Sequence, residues 1–317
     1  KKRGFDAHVS SGEVHTVIGC VGGKIIDPRD IELLDGVKEV KTIREPFRLA
    51  SRDRKSEDTV IEFENGVKIG GANRPVAMVG PCSVEDDYEG LRQVAFAAKE
   101  LGCQFLRGGA FKPRTSPYDF DGLGEKGLQY LAQAKEETGL LVVTELMDST
   151  DLELVCKYAD VIQIGARNMQ NFDLLKEVGH YTKKPILLKR GLSSTLQELL
   201  MSAEYIMASG NPNVILCERG IRTFETSTRN TIDLTVVPLL HSLTHLPIII
   251  DPSHATGVAR LVHPVSVAAT AIGADGLIIE VHNDPPHAKC DGAQSQTPEM
   301  FAETMKVVNQ IRPYACR

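Results

Sequence analysis

Residues 104–120, QFLRGGAFKPRTSPYDF, set Arg107, Lys112, Arg114 and the hydroxyl of Thr115 just after a short apolar run, Phe105-Leu106. Three cations and a hydroxyl this close together make an anion site, because guanidinium forks match oxyanion geometry. Gly108 and Gly109 let the backbone turn and approach a ligand, while Pro113 and Pro117 stiffen the loop so that Arg114 is held. A lone K-x-R in a loop is more often a solvated surface. The site reading is favoured because polar groups recur at the ends of seven other apolar runs. VAMVGPCS ends in Cys82, LVVTELMD gives Glu145, and VIQIGAR gives Gly165, Ala166 and Arg167. PILLKRG gives Lys189, VILCERG gives Arg219, PIIIDPSH gives Asp251 and His254, and GLIIEVH gives Glu280 and His282. Charges so close to buried apolar runs are costly unless they meet partners or ligands.

These residues sort into two sets. Arg107, Lys112, Arg114, Arg167, Lys189 and Arg219 are cations, enough for about two phosphates and a carboxylate. Cys82, His254, Glu280 and Asp291, the last from KCDGAQS, offer sulfur, nitrogen and oxygen. That mixture suits a divalent manganese, iron, cobalt or zinc ion rather than calcium. Each member also has an ordinary alternative. Cys82 can fill a core, and His254 can cap a helix starting near Val258. Glu280 can pair with Arg219 or Lys189, and Asp291 before a glycine can make a turn. Taken jointly, at runs that neighbour one another in a closed barrel, they favour the metal reading. His282 reads as a residue behind the ligands, and His263, before Pro264, as a surface helix residue.

The elements that must position these groups alternate regularly. Strand-like runs begin near Val76, Gln104, Leu140, Val161, Pro185, Val214, Pro247 and Gly276. Helical stretches are expected at Asp87–Leu101, Glu125–Thr138, Asp151–Tyr158, Phe172–Tyr181, Ser194–Ala208, Asp233–Leu243, Val258–Ile272 and Pro298–Ile311. Leu196, Leu199, Leu200 and Ala203 show the helical period. Eight strand–helix pairs match an α/β fold of the (β/α)8 TIM-barrel type, which keeps its chemistry at the carboxyl ends of the strands. A doubly wound open sheet is the other candidate, but no GxGxxG follows the first strand.

Ahead of this barrel, expected over residues 76–317, residues 1–50 read as a small α+β ferredoxin-like module. Strands are expected at Phe5–Val9, Val14–Val21 and Val37–Ile43, with a short helix opening at Asp27-Pro28. Lys1-Lys2-Arg3-Gly4 resembles the end of a helix, so a first strand and helix of roughly 20–30 residues are expected to be missing. Gly19, Gly22, Gly23 and Lys24 lack the Walker spacing and read as a turn. Residues 51–75 hold a linker and a β-hairpin turning at Asn65-Gly66, expected to cap the next domain.

Composition narrows the functional classes. The 317 residues are 42% hydrophobic and 25% charged, ordinary for a globular chain, with a formal net charge of −6. An acidic chain argues against a nucleic-acid partner, so the cations must form a local site for a small anion. No apolar run approaches the ~20 residues of a membrane span, and the first residues hold no signal-peptide core. The seven cysteines are scattered without CxxC spacing, which fits a reducing cytoplasm.

GPCSVE, LRGGAFKPRTSPYDFDGLG, QIGARNMQNF, LLKRG, CERG, IIDPSHATG, IIEVH and CDGAQS, in this order, resemble 3-deoxy-D-arabino-heptulosonate 7-phosphate (DAHP) synthase. The nearest subgroup is the short type similar to octulosonate-phosphate synthase, with an N-terminal ferredoxin-like regulatory domain. The likeness is close from about residue 60 onward and looser over the first 50 or so. It implies condensation of phosphoenolpyruvate with erythrose 4-phosphate, the first step of the shikimate pathway to aromatic amino acids. By resemblance the metal, most often manganese, falls on Cys82, His254, Glu280 and Asp291. Phosphoenolpyruvate falls on Arg107, Lys112, Glu145, Ala166, Arg167, Lys189 and Arg219, with Gly165 beside them, and erythrose phosphate on Arg114 and Thr115. The octulosonate enzyme usually carries A-N-R-S-S where this chain has KPRTS, which favours the shorter sugar.

In the chemistry so implied, Lys112 gives a proton to the nascent alkoxide, and Glu145 or a metal-bound water handles the attacking water. The resemblance also implies feedback by an aromatic amino acid, with His8 and Ser10 at the effector site, and a homotetramer or dimer. Two other readings remain open: a Schiff-base aldolase using Lys189 beside Arg190, and a non-catalytic amino-acid sensor. The octulosonate synthase, using arabinose 5-phosphate, is the nearest alternative.

Overall fold

Valine-, isoleucine- and leucine-rich runs of three to six residues are too short for helices and too apolar for one exposed face. Buried on both sides, they belong in a parallel sheet covered by helices. The computed structural model bears this out; it describes residues 6–11, 16–21, 29–40, 46–112, 118 and 120–316. The chain divides into two units, Lys1–Pro46 and Phe47–Arg317.

In the first unit, β1 (Asp6–Ser11) and β2 (Thr16–Val21) pair antiparallel, with His8 opposite Gly19 and Val9 opposite Ile18. A single helical turn, α1 (Arg29–Glu32), comes next. The third strand expected from Val37 is not formed at residues 37–40. Its remainder, the Asp27-Pro28 cap and the basic stretch at residues 1–4 lie outside the described residues. So do the side chains of His8 and Ser10.

The second unit opens with the expected hairpin, β3 (Ile61–Glu62) and β4 (Lys68–Ile69). Strand β5 (Val76–Gly80) and helix α2 (Tyr88–Glu100) begin the barrel. Then come β6 (Phe105–Arg107), α3 (Glu125–Thr138), β7 (Leu141–Leu146), α4 (Leu152–Tyr158), β8 (Val161–Ile164) and α5 (Phe172–Tyr181). The rest comprises β9 (Ile186–Lys189), α6 (Leu196–Ala208), β10 (Val214–Glu218), α7 (Val236–Leu243), β11 (Ile248–Ile250) and a short α8 (Pro252–Thr256). Helix α9 (Ala259–Ala271), strand β12 (Gly276–Glu280) and helix α10 (Pro298–Ile311) complete it. Strands β5 to β12 pair in parallel and close on themselves, with Glu280 of β12 opposite Gly80 of β5.

Alternation along the strands divides the core in two. Inside the barrel, Met78, Phe105, Val143, Ile215, Ile249 and Ile278 pack together. Ile61 and Ile69 join that cluster with Phe63 against it, and the Phe63 ring meets Phe105 edge-on at 5.1 Å. The hairpin therefore plugs the amino-terminal end of the barrel. Outside, Leu106, Val142, Ile162 and Leu216 meet helix residues such as Leu128, Leu131, Leu175 and Leu199. Helix α6 starts with a capping box between Thr195 and Glu198. Gly80 must be glycine, because a β-carbon there would lie 2.0 Å from the Arg107 carbonyl oxygen.

His245 staples the segment ahead of the hairpin to this body. It lies between α7 and β11, with Nε2 2.7 Å from the Leu49 carbonyl and Nδ1 2.7 Å from the Thr59 hydroxyl. Burial pulls its pKa below the ordinary value, so the neutral ring donates through Nε2 to Leu49 and accepts from Thr59. His245→Ala should lower unfolding stability by about 1–3 kcal/mol, measured by urea denaturation at pH 7, because a buried carbonyl and hydroxyl lose their partner. The same variant should lack the stability loss that His245 protonation brings as pH falls below about 6.5.

Candidate active site and metal centre

The carboxyl ends of the strands deliver the polar groups to one rim. Cys82 follows β5, Arg107 ends β6, Glu145 lies near the end of β7, Lys189 ends β9, Arg219 follows β10 and Glu280 ends β12. His254 needs a further device. Asp251 caps α8, Pro252 starts it, and the turn aims the ring back over the barrel. It does not cap the helix beginning near Val258, one of the alternatives that its sequence left open. Asn230 Nδ2 donates to the His254 carbonyl at 2.9 Å, and the Ser253 hydroxyl accepts from the Glu280 amide at 3.0 Å.

One ligand atom from each of Cys82, His254, Glu280 and Asp291 lies within 4.8 Å of the others. Cys82 Sγ is 3.2 Å from Asp291 Oδ2, and His254 Nε2 is 3.4 Å from Glu280 Oε1 and 3.8 Å from Asp291 Oδ2. The outer atoms of three of these groups are engaged elsewhere. His254 Nδ1 meets Asp251 Oδ2 at 2.8 Å, Glu280 Oε2 accepts from Gln294 Nε2 at 2.5 Å, and Asp291 Oδ1 accepts from Arg229 Nη1 at 3.1 Å. Arg229 also donates to Gln294 Oε1 at 2.8 Å. Asp291 is the single non-glycine residue with positive φ among those described, at 52°, and the 3-10 turn Gly292–Gln294 follows it.

The protonation states suit a metal. Burial raises the Glu280 carboxyl, but His254 and Arg107 outweigh it and hold it below the ordinary value. Asp291, partly buried, is brought down to about 2 by Arg229 and His254. Burial lowers the His254 ring, and Asp251 and Glu280 only partly offset this. The Cys82 thiol is pushed well up by its contact with Cys290, 3.1 Å away, and by burial. Two carboxylates, a neutral imidazole and a thiol that a cation would deprotonate can hold a metal ion.

Beside this cluster opens a cleft of about 290 Å³. Lys112, Glu145, Gly165, Ala166, Arg167, Lys189, Arg219, His254 and Asp291 line it. Cys82 and Glu280 lie beneath its floor, as does Arg107, which donates to Glu280 Oε1 at 2.8 Å and to the Pro81 carbonyl at 2.9 Å. The partner of Glu280 is thus Arg107, not Arg219 or Lys189. Lys189 instead donates to Asp251 at 2.5 Å. The buried Nη1 of Arg219 finds no partner among the described residues, an unmet donor at the edge of an open cleft. Lys112 Nζ sits 3.0 Å from the Cys82 carbonyl oxygen and 3.1 Å from its Sγ. Burial works against its charge, yet Cys82 and Glu145 keep its pKa above the ordinary value.

Two glycines act through the room they leave. At Gly165 a β-carbon would meet Glu145 Oε1 at 2.0 Å, and at Gly109 it would meet the Lys112 side chain at 2.8 Å. Arg114 and Thr115 lie outside the described residues. Sequence reasoning missed Gln163, Arg222, Arg229, Asn230 and Cys290, all of which line the cleft, and also Gln294. Gln163 could have been found from its place two residues before Gly165 on a strand. Arg222 and Arg229 sit in a loop with no period to mark them.

Comparison with known proteins shows the family. Residues 58–315 match the DAHP synthetase I family, and residues 1–45 match the DAHP synthase ferredoxin-like domain. The phospho-2-dehydro-3-deoxyheptonate aldolase of Thermotoga maritima is 50% identical over 96% of this chain and 89% of its own length. The crystal structure of a Thermotoga maritima DAHP synthase matches with a TM-score of 0.83 at 49% identity, covering 98% of this chain and 90% of that one. A 2-dehydro-3-deoxyphosphooctonate aldolase of Syntrophotalea carbinolica is 31% identical over 76% of this chain and 92% of its own. The relatives that match are aldolases named for phosphorylated deoxy sugar acids. The chain belongs to the DAHP synthetase I family, and the activity it carries is DAHP synthesis. No helix among the described residues is long and apolar enough to cross a membrane.

Proposed function

We propose that the cleft joins phosphoenolpyruvate to erythrose 4-phosphate, releasing phosphate, with a divalent ion at Cys82, His254, Glu280 and Asp291. The observation that carries this reading is the shared border of a cation-lined cleft and a four-donor cluster, with Lys112 touching both. Phosphoenolpyruvate brings a phosphate and a carboxylate. Arg167, Lys189 and Arg219 face the cleft beside Gly165-Ala166 and hold those anions, the unmet Arg219 donor among them. Arg114 and Thr115 take the phosphate of the aldose by their place in KPRTS. When bound, manganese, or else iron, cobalt or zinc, supplies Lewis-acid polarisation of the aldehyde oxygen.

The chain's own residues manage the protons. C3 of phosphoenolpyruvate forms a bond to the aldehyde carbon, and the aldehyde oxygen becomes an alkoxide. Lys112, kept charged, hands it a proton from Nζ. Positive charge gathers at C2, water adds there, and Glu145 takes the proton of that water. Gln163 donates to Glu145 Oε2 at 3.1 Å and fixes its carboxylate against Gly165. Collapse at C2 expels phosphate. In the first unit, we assign feedback by an aromatic amino acid to the surroundings of His8 and Ser10, on the support of the ferredoxin-like match.

The deciding assay monitors phosphoenolpyruvate loss with erythrose 4-phosphate or arabinose 5-phosphate, with and without EDTA. Turnover with the four-carbon sugar, lost to chelation and restored by manganese, is expected. Turnover with the five-carbon sugar alone would reassign the substrate, and turnover untouched by exhaustive chelation would remove the metal. Added tyrosine and phenylalanine test the effector, and indifference to both rejects it. Lys112→Met should abolish turnover while calorimetry still detects phosphoenolpyruvate binding; near-normal turnover would refute the proton-donor role. Metal binding at pH 7 should release about one proton, from the Cys82 thiol, since the carboxylates are already ionised and His254 is neutral. Calorimetry in buffers of different ionisation enthalpy reads that number directly.

A further inference from the structure

Asp251 is 1% exposed and faces neither the cleft nor the centre of the four-donor cluster, yet both depend on it. Its Oδ1 accepts the backbone amide of His254 at 2.9 Å. Its Oδ2 accepts from His254 Nδ1 at 2.8 Å and from Lys189 Nζ at 2.5 Å. One carboxylate thus grips a backbone and a ring on α8, just after β11, and an ammonium at the end of β9, the two strands that flank β10.

An ionised carboxylate only accepts hydrogen bonds, and a neutral imidazole has a single N–H. With Asp251 ionised, that hydrogen must sit on Nδ1, which leaves the lone pair on Nε2. That lone pair points at the space bounded by Glu280 Oε1 and Asp291 Oδ2, 3.4 and 3.8 Å away. The other partners of Asp251, Lys189 Nζ and the His254 amide, are donors only, so the carboxylate can only accept.

We propose that Asp251 is the positioning residue of the metal centre: it fixes the tautomer and orientation of His254, and the same oxygen anchors Lys189 in the wall of the anion cleft. This rests on the reading that a divalent ion binds at Cys82, His254, Glu280 and Asp291. Outer partners of metal-bound histidines act in this way, and their loss typically costs 10- to 100-fold in metal affinity.

The test uses the full chain loaded with Co2+, whose visible spectrum reports ligand geometry. Asp251→Asn keeps the shape but removes the charge and one acceptor. Competition with a chromogenic chelator should show Co2+ affinity falling about 10- to 100-fold, with a shifted spectrum. Glu218→Gln is the control. It breaks an equally buried ion pair, Arg190 to Glu218 at 2.8 Å, away from the ligands. That variant should lose thermal stability and keep both affinity and spectrum. Unchanged affinity and spectrum in Asp251→Asn would overturn the proposal, as would an equal loss of affinity in Glu218→Gln. Unchanged Co2+ binding in His254→Gln would overturn the underlying metal reading instead.

Should Asp251→Asn not fold, the unaltered protein decides. In the Zn2+-loaded chain, the 15N resonances of His254, assigned by their loss in His254→Gln, should show a metallated Nε2 and a strongly hydrogen-bonded Nδ1–H. Metallation at Nδ1, or a freely exchanging Nδ1–H, overturns the proposal.

Discussion

The pairing of β12 with β5 is the constraint on which the rim depends. It joins strands some two hundred residues apart in sequence and sets Glu280 opposite Gly80. From that register Cys82, two residues past the end of β5, comes to stand beside the end of β12 and the loop that carries Asp291. No local propensity could bring these groups together. Gly80 is part of the same constraint, since only a bare α-carbon lets Arg107 approach closely enough to reach Glu280.

Closure would be costly without charge compensation. Arg107 with Glu280, Lys189 with Asp251 and Arg190 with Glu218 are ion pairs between residues almost wholly removed from water. Such pairs gain little net stability over apolar packing, but losing one member strands the other. Arg107–Glu280 reaches across β5, and Lys189–Asp251 reaches across β10. Each pair therefore reports whether three successive strands are in register. Against the effect of burial, Arg107 helps hold Glu280, and Lys189 helps hold Asp251, below the ordinary carboxylate range, so carboxylates lie close to the cationic walls of the cleft.

Much of this was legible from residue order, and the exceptions have physical reasons. The eight strand starts and the helices Glu125–Thr138, Phe172–Tyr181 and Pro298–Ile311 come from periodicity and capping alone. The turn that carries His254 does not, because Pro252–Thr256 is too short to display a helical period. The partner of Glu280 was also hidden: Arg107 meets it only across a closed sheet. Gly108 and Gly109 read as turn formers, whereas Gly109 in fact leaves room for the Lys112 side chain. The strand expected from Val37 is not formed at residues 37–40, where Val37-Lys38-Glu39-Val40 lacks strict alternation.

The hairpin of β3 and β4 has an effect beyond its own two strands. Ile61, Phe63 and Ile69 continue the packed interior of the barrel past the starts of its strands. Apolar side chains that would otherwise end in water at the pole opposite the cleft, Phe105 and Met78 among them, stay covered. A stretch of only a few residues thus spares the barrel a separate lid at its base.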